Sequence, residues 1–363
     1  MKITKVQATV HRVPVSPLLV KKPLERNVVI ARVETDQGIV GTGLSALNEG
    51  FALREFINAE LGPFLVDRDP MESERLWNDM YWTFNQRSLT GVVSHGMAAI
   101  DIAVWDIKGK FLNQPVWRLL GGYSATVPAY ITFGLPEYSI EELVQVARHY
   151  VAEGQDKLKM VVAIDRGRRV AEDAVRVKAV REAVGDGIQL MVDANHLFDF
   201  TSAYELCRRI EPSNITWFEE PLRANDVLQL AALRQRTSIP ISAGQNEGHR
   251  FRHRELIVGG AVDIVQPNVC SVGGYTEAIK VAHMAHAFNL PVANGGGWPH
   301  HNAHLMAAIP NGWRVEFHAQ MWLIGEAIFQ DPPKPVKGWV TLPERPGLGL
   351  EPNEAALNEY QVK

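Results

Sequence analysis

Apolar runs that each end in a polar or charged side chain recur through the middle of the chain, roughly every 25 residues. They are Lys157-Leu158-Lys159, Met191-Val192-Asp193-Ala194-Asn195, Trp217-Phe218-Glu219-Glu220-Pro221, Ile241-Ser242-Ala243-Gly244-Gln245 and Ile264-Val265-Gln266-Pro267-Asn268. That period holds one strand plus one helix, and helical apolar spacing fills the intervals at 141–152, 169–184 and 203–210. Further strands end near Asn294 and Glu316, which completes roughly eight units. The pattern predicts an α/β chain built on a (β/α)8-type barrel, a modified TIM barrel. Its polar groups hang from the carboxyl ends of successive parallel strands, the face where such barrels do their chemistry.

Residues 1–122 break the period. Val28 to Thr35 reads as a strand, and Asp36-Gln37-Gly38 supplies a turn before Ile39-Val40-Gly41. Helical spacing follows at 51–61, 71–82 and 94–110, and Gly121-Gly122 ends the last helix of this part. This half is expected to be an α+β capping domain, with the barrel at 123–331. The tail, 332–363, is rich in proline and glycine and is expected to pack back on the cap.

Composition narrows the function classes. With 363 residues, 46% hydrophobic and 21% charged, the chain can bury a sizeable core. A formal net charge of −4 offers no electrostatic attraction for nucleic acid or an anionic membrane. No run approaches the roughly 20 apolar residues of a membrane span, and the opening residues alternate like a strand. The two cysteines, Cys207 and Cys270, form no CxxC or Cys/His cluster, so a reduced cytoplasmic protein is expected.

The polar strand ends carry the chemistry. Asp193, Glu219 and Gln245 close three consecutive strands and converge on one point above the barrel. Oxygen donors from three elements suit Mg2+, while the plainer alternative is that the carboxylates cap the helices after them. Lys157 and Lys159 are one residue apart, so on a strand both face the same side. Inside a barrel, crowding and desolvation would depress a lysine pKa and make a base; on a surface they would be a solvated pair.

This set resembles the mandelate racemase and muconate lactonizing branch of the enolase superfamily over essentially the whole chain. Lys157-Leu158-Lys159 matches that family's KxK motif, Asp193-Ala194-Asn195 its third-strand motif and Phe218-Glu219-Glu220-Pro221 its fourth. The stretch from Asp101 to Lys110 and the ending Pro346-Gly347-Leu348-Gly349 also match. The resemblance implies Mg2+ held by Asp193, Glu219 and Gln245, and Lys159 as the base that removes a proton α to a carboxylate. It also implies a small-molecule carboxylate substrate touching Asn195 and Asn268, and a homo-oligomer. Glu316 resembles the family's electrophilic glutamate, which must stay protonated to donate; otherwise it is a capping or salt-bridged carboxylate.

Three positions depart from that pattern. Gly244 is followed by Gln245 where a glutamate is usual, and Glu247 is the alternative ligand. Asn268 stands where an aspartate or lysine belongs, and the strand-seven histidine is replaced by glycine in Asn294-Gly295-Gly296-Gly297. His300 and His301 are candidates to restore a proton-transfer group, or are helix caps facing solvent. With Lys159 alone as base, β-elimination of water from a polyhydroxy, sugar-derived acid is expected ahead of racemisation or lactone cycloisomerisation. A lapsed enzyme that only binds carboxylates is the alternative of another class. Lys21, Lys22 and Arg26 in the segment 14–26 are candidates to meet a distal carboxylate, or are surface charges.

Overall fold

The computed structural model describes residues 1–45, 48–85 and 90–362. Three antiparallel strands open the chain: β1 (Ile3–Val15), β2 (Leu24–Thr35) and β3 (Val40–Ser45). Their alternating burial places Val29, Ala31 and Val33 against the helix Val92–Phe111. That helix lies unusually close because β3 presents glycines. A Cβ on Gly43 would stand 1.8 Å from the Ala99 carbonyl oxygen, so no larger residue fits there.

The barrel follows: β4 (Thr126–Phe133), β5 (Lys157–Val161), β6 (Gln189–Asp193), β7 (Ile215–Glu219), β8 (Ile241–Ala243), β9 (Ile264–Val265), β10 (Val292–Ala293) and β11 (Gly312–His318). Each pairs in parallel with the next, and β11 closes on β4 through Val315↔Ala129 to His318↔Thr132. A helix returns the chain after every strand. The first, Ile140–Ala152, starts at a capping box in which the Ser139 hydroxyl accepts the Glu142 N–H and the Glu142 carboxylate accepts the Ser139 N–H. Among the described residues, no helix is long and apolar enough to cross a membrane.

Inward-facing residues stack in layers. Tyr130, Met191, Trp217, Ile264 and Ala293 form an apolar plug inside the barrel, and the polar groups rest on it. The tail ties the two parts together. Trp339–Thr341 pairs with the start of β4, and Gln361–Val362 pairs with His11 and Val10 of β1. Cap side chains also grip one barrel loop: Ser45, Ser94 and Trp77 donate to the carbonyls of Cys270, Ser271 and Gly273 at 2.6, 2.9 and 2.8 Å.

Candidate active site

Strand register decides which side chains reach the barrel mouth. On β5, Lys159 is level with Met191 and Val161 is level with Asp193. Lys159 therefore starts one pleat below the carboxylate at the end of β6, and its long side chain rises toward it. Its ammonium ends 3.0 Å from Asp193 Oδ2, 2.5 Å from Glu219 Oε1 and 2.9 Å from Glu316 Oε1. The side chain is fully buried.

These neighbours work against the depressed pKa expected of a crowded, buried lysine. Burial alone would depress the Lys159 pKa, but Asp193, Glu219 and Glu316 together reverse that and hold it well above the usual lysine value. Lys159 is the shared counter-ion of these three carboxylates. Lys157 faces the same side of the strand but sits toward the opposite end of the barrel. It pairs with Asp156 at 2.6 Å and reaches the Gly338 carbonyl, away from Asp193 and Glu219.

Above this polar layer opens a cavity of about 330 Å³, with Val161, Asp193, Asn195, Gln245, Asn268 and Glu316 in its wall. Five of the six are anionic or carry amides, so the wall suits hydroxyl-rich and carboxylate ligands. The cap contributes Glu49 and His95, and β11 contributes His318. His318 stands two residues beyond Glu316 on one strand, so the two share a face. An apolar annex of about 200 Å³, walled by Leu18, Phe133, Leu135 and Tyr150, shares Val161, Asn195 and His318 with the cavity.

Glu316 is held at both oxygens. Oε1 accepts from Thr132 Oγ1 and from Lys159, and Oε2 accepts the Gly297 N–H at 2.6 Å. Three groups therefore anchor the Glu316 carboxyl in the cavity wall.

The oxygens that would hold Mg2+ are brought together. Gln245 Nε2 donates to Glu220 Oε2 at 2.7 Å, which fixes the amide and turns Oε1 the other way. Gln245 Oε1 and Glu219 Oε1 both lie 3.0 Å from where a Cβ on Gly295 would stand, so they face the same small space. Among the described residues no three His, Cys, Asp or Glu side chains form a metal cluster; this set is two carboxylates and one amide. Its all-oxygen donors fit a hard cation, with one formal charge fewer than three acids would give. Glu247 is elsewhere engaged, accepting from Asn225 at 2.9 Å and Arg252 at 3.0 Å. Asn195, His196 and Glu220, just past β6 and β7, all have left-handed backbone with φ of 47°, 61° and 40°. Such strain persists only where the surroundings impose it, and here it aims side chains at the mouth.

His300 and His301 are not at the mouth. The His300 ring packs against Phe317 and Phe329, with centroids 6.1 and 6.3 Å away. Burial pushes the pKa of both histidines down to about 3, so they stay neutral inside the core. Asn268 is in the wall, its Nδ2 donating to the Gly295 carbonyl and its Oδ1 accepting from Cys270 N–H and Asn302. Arg26 bonds Gln320 beside the annex at 2.6 Å, while Lys21 and Lys22 are exposed. Sequence reasoning missed Val161, Glu49, His95 and His318; only the last left a signal, its spacing from Glu316.

A closed parallel barrel beneath an α+β cap, with carboxylates and a lysine converging at its strand ends, defines a barrel enzyme whose site lies between the two parts. The family model for the mandelate racemase / muconate lactonizing enzyme N-terminal domain matches residues 2–121. The enolase C-terminal domain-like model matches residues 142–356. The chain belongs to the enolase superfamily, in the mandelate racemase and muconate lactonizing branch. It is 33% identical over 353 residues to an arabinonate dehydratase of Saccharolobus solfataricus, covering 95% of this chain and 93% of that one. It is also 33% identical over 350 residues to a D-galactarolactone cycloisomerase of Agrobacterium fabrum, covering 92% and 91%. Among solved structures, a racemase from Streptomyces coelicolor A3(2) with bound magnesium matches at a TM-score of 0.91 and 29% identity, covering 99% and 100%. The chain is therefore an enzyme of this superfamily, with dehydratase, cycloisomerase and racemase relatives at similar distances.

Proposed function

We propose that the enzyme removes the proton α to the carboxylate of a polyhydroxy acid and eliminates water from the neighbouring carbon. One observation carries this: Asp193, Glu219 and Glu316 converge on Lys159 beneath a cavity rich in amide groups. Three carboxylates and one ammonium leave a formal charge of −2, which a divalent ion balances.

Asp193 and Glu219, with the Gln245 amide oxygen, are the residues that would hold Mg2+. When bound, the ion supplies Lewis-acid stabilisation of the charge that develops on a substrate carboxylate. Lys159 contributes a fixed positive charge from below, and Glu316 is held rigid by three donors. Asn195, Asn246 and Ser271 line the cavity where substrate hydroxyls need partners. The large share of amide and hydroxyl groups favours an acid sugar over an aryl acid.

The apolar annex supports a second reading. A ring with few free hydroxyls, such as a lactone, would fill it better than an extended polyol, which favours a cycloisomerase. Both readings are tested by incubating the enzyme with Mg2+ and a panel of aldonic acids, aldaric acids and their lactones in D2O. Formation of a 2-keto-3-deoxy acid supports elimination; ring opening or closure without loss of water supports the second reading. Tight binding with neither product nor α-proton exchange would reject both and favour a lapsed, carboxylate-binding protein.

A further inference from the structure

Three buried carboxylates away from the barrel mouth each meet a lysine or arginine. Asp106 pairs with Lys110, Glu247 with Arg252 and Glu277 with Arg250, at 2.7, 3.0 and 2.7 Å. Glu220 does not. It is fully buried, and among the described residues no lysine or arginine reaches it.

Side chains from the loops after β6, β7 and β8 hold it instead. Oε2 accepts from Gln245 Nε2 at 2.7 Å and Asn246 Nδ2 at 3.0 Å, and His196 Nε2 lies 2.7 Å away. Oε1 accepts from Asn225 Nδ2 at 3.2 Å. The backbone is pinned as well: the Glu220 N–H donates to the Ser242 carbonyl and its carbonyl accepts the His196 N–H, both at 2.9 Å. A carboxylate taken out of water without a permanent counter-charge is costly, so a compensating positive charge is expected nearby.

The Gln245 amide lies between Glu220 and the candidate ion site. Its Nε2 points at Glu220, while its Oε1 faces the space shared with Glu219 Oε1. Gly295 and Gly296 keep that space clear; a Cβ on Gly296 would stand 3.1 Å from Gln245 Oε1. Turning the amide over would set its oxygen against Glu220 Oε2 and present to the ion an NH2 group with no free lone pair. Glu220 therefore fixes which end of the amide faces the cavity. A charge-assisted bond at the nitrogen also draws electron density toward the oxygen, so the amide acts more like a carboxylate.

We propose that Glu220 is the positioning residue that makes Gln245 a metal ligand, relaying its negative charge to the ion through the amide. The inference rests on the Mg2+ set of the proposed function and is independent of which reaction follows. Glu220 is outside the cavity wall, so it acts through Gln245 and touches no substrate.

The test is a double-mutant cycle on the full chain. Wild type, Glu220→Gln, Gln245→Met and the double variant are titrated with Mg2+, with binding read from thermal unfolding. Glu220→Gln is expected to weaken Mg2+ binding at least about tenfold, as loss of an outer-shell partner does. In the Gln245→Met background the same change should cost less than about threefold, because the relaying amide is gone. Glu220→Asp keeps the charge but withdraws it by one methylene, so it should also weaken binding and serves should Glu220→Gln not fold. A second readout needs no metal. With glutamine side-chain amides labelled with 15N, the Gln245 signals should shift in Glu220→Gln in EDTA, and their protons should exchange at least about tenfold faster.

Equal weakening in both backgrounds would leave Glu220 a distant charge and overturn the inference alone. Unchanged Mg2+ affinity in Glu220→Gln, or unmoved Gln245 amide signals, would do the same. No Mg2+ binding by wild type would overturn the proposed metal set and the inference with it.

Discussion

Val161 and Asp193 stand opposite each other on adjacent parallel strands, so the last inward position of β5 is an apolar side chain beside a candidate ligand. Lys159, two residues earlier on the same strand, starts about 6.6 Å lower and reaches Asp193 only through the length of its side chain.

That relationship gives the first prediction. Val161→Lys places an amine in the cavity wall, within reach of a substrate carbon. We expect α-proton exchange in D2O to rise at least about tenfold over wild type, followed as loss of the α-proton signal by NMR. An unchanged rate would show that the substrate carbon does not lie near the end of β5.

Lys159→Met removes the positive charge shared by Asp193, Glu219 and Glu316. Buried carboxylates left without a counter-ion cost roughly 3–5 kcal/mol. The variant should unfold well below wild type in EDTA and recover most of the difference in millimolar Mg2+. Thermal unfolding in the two buffers checks this, and equal losses in both would mean the carboxylates do not hold the ion.

Gln245→Glu should act in two opposite directions. Without metal, a second carboxylate 2.7 Å from Glu220 Oε2 replaces a hydrogen bond with like-charge repulsion and lowers stability. With metal, the added charge should tighten Mg2+ binding about tenfold or more. Calorimetric titration reads the second effect; unchanged affinity would remove Gln245 from the ligand set.

The buried histidines make the fold acid-labile. His300 and His301 are pushed by burial down to about 3 and His304 to about 4, all below the unfolded value. The unfolded chain therefore binds more protons, and stability should fall as pH drops from about 6.5 toward 4, by about 1.4 kcal/mol per pH unit for each histidine. Urea unfolding at pH 7, 6 and 5 gives the slope, and His301→Leu should flatten it by one histidine's share. A slope indifferent to that change would contradict the assignment.

The barrel was legible because strand ends repeat at a fixed period, and Asp193, Glu219 and Gln245 were legible as members of that series. The lysine pair was separated by register and reach: Lys159 meets Asp193 and Glu219, while Lys157 ends at Asp156 and the Gly338 carbonyl. A KxK motif states which face the side chains share, but not how high the strand sits against its neighbour, and Lys159 sits one pleat low. His300 and His301 misled for a different reason. Two polar residues after a glycine run suggest a solvent-facing helix start, yet the helix Pro299–Ala308 is buried on all sides, and the tail covers it where the Leu348 carbonyl meets His304. Glu49 and His95 had no pattern to betray them, since only folding of the cap brings a loop and a helix to the same cavity.

Ser45, Trp77 and Ser94 all fasten to the carbonyls of one loop after β9. Lifting the roof from the barrel would break all three attachments together, so the two parts behave as one rigid jaw that is already shut. A route for small molecules that leaves these attachments intact runs along the rim, with no swing of one part against the other.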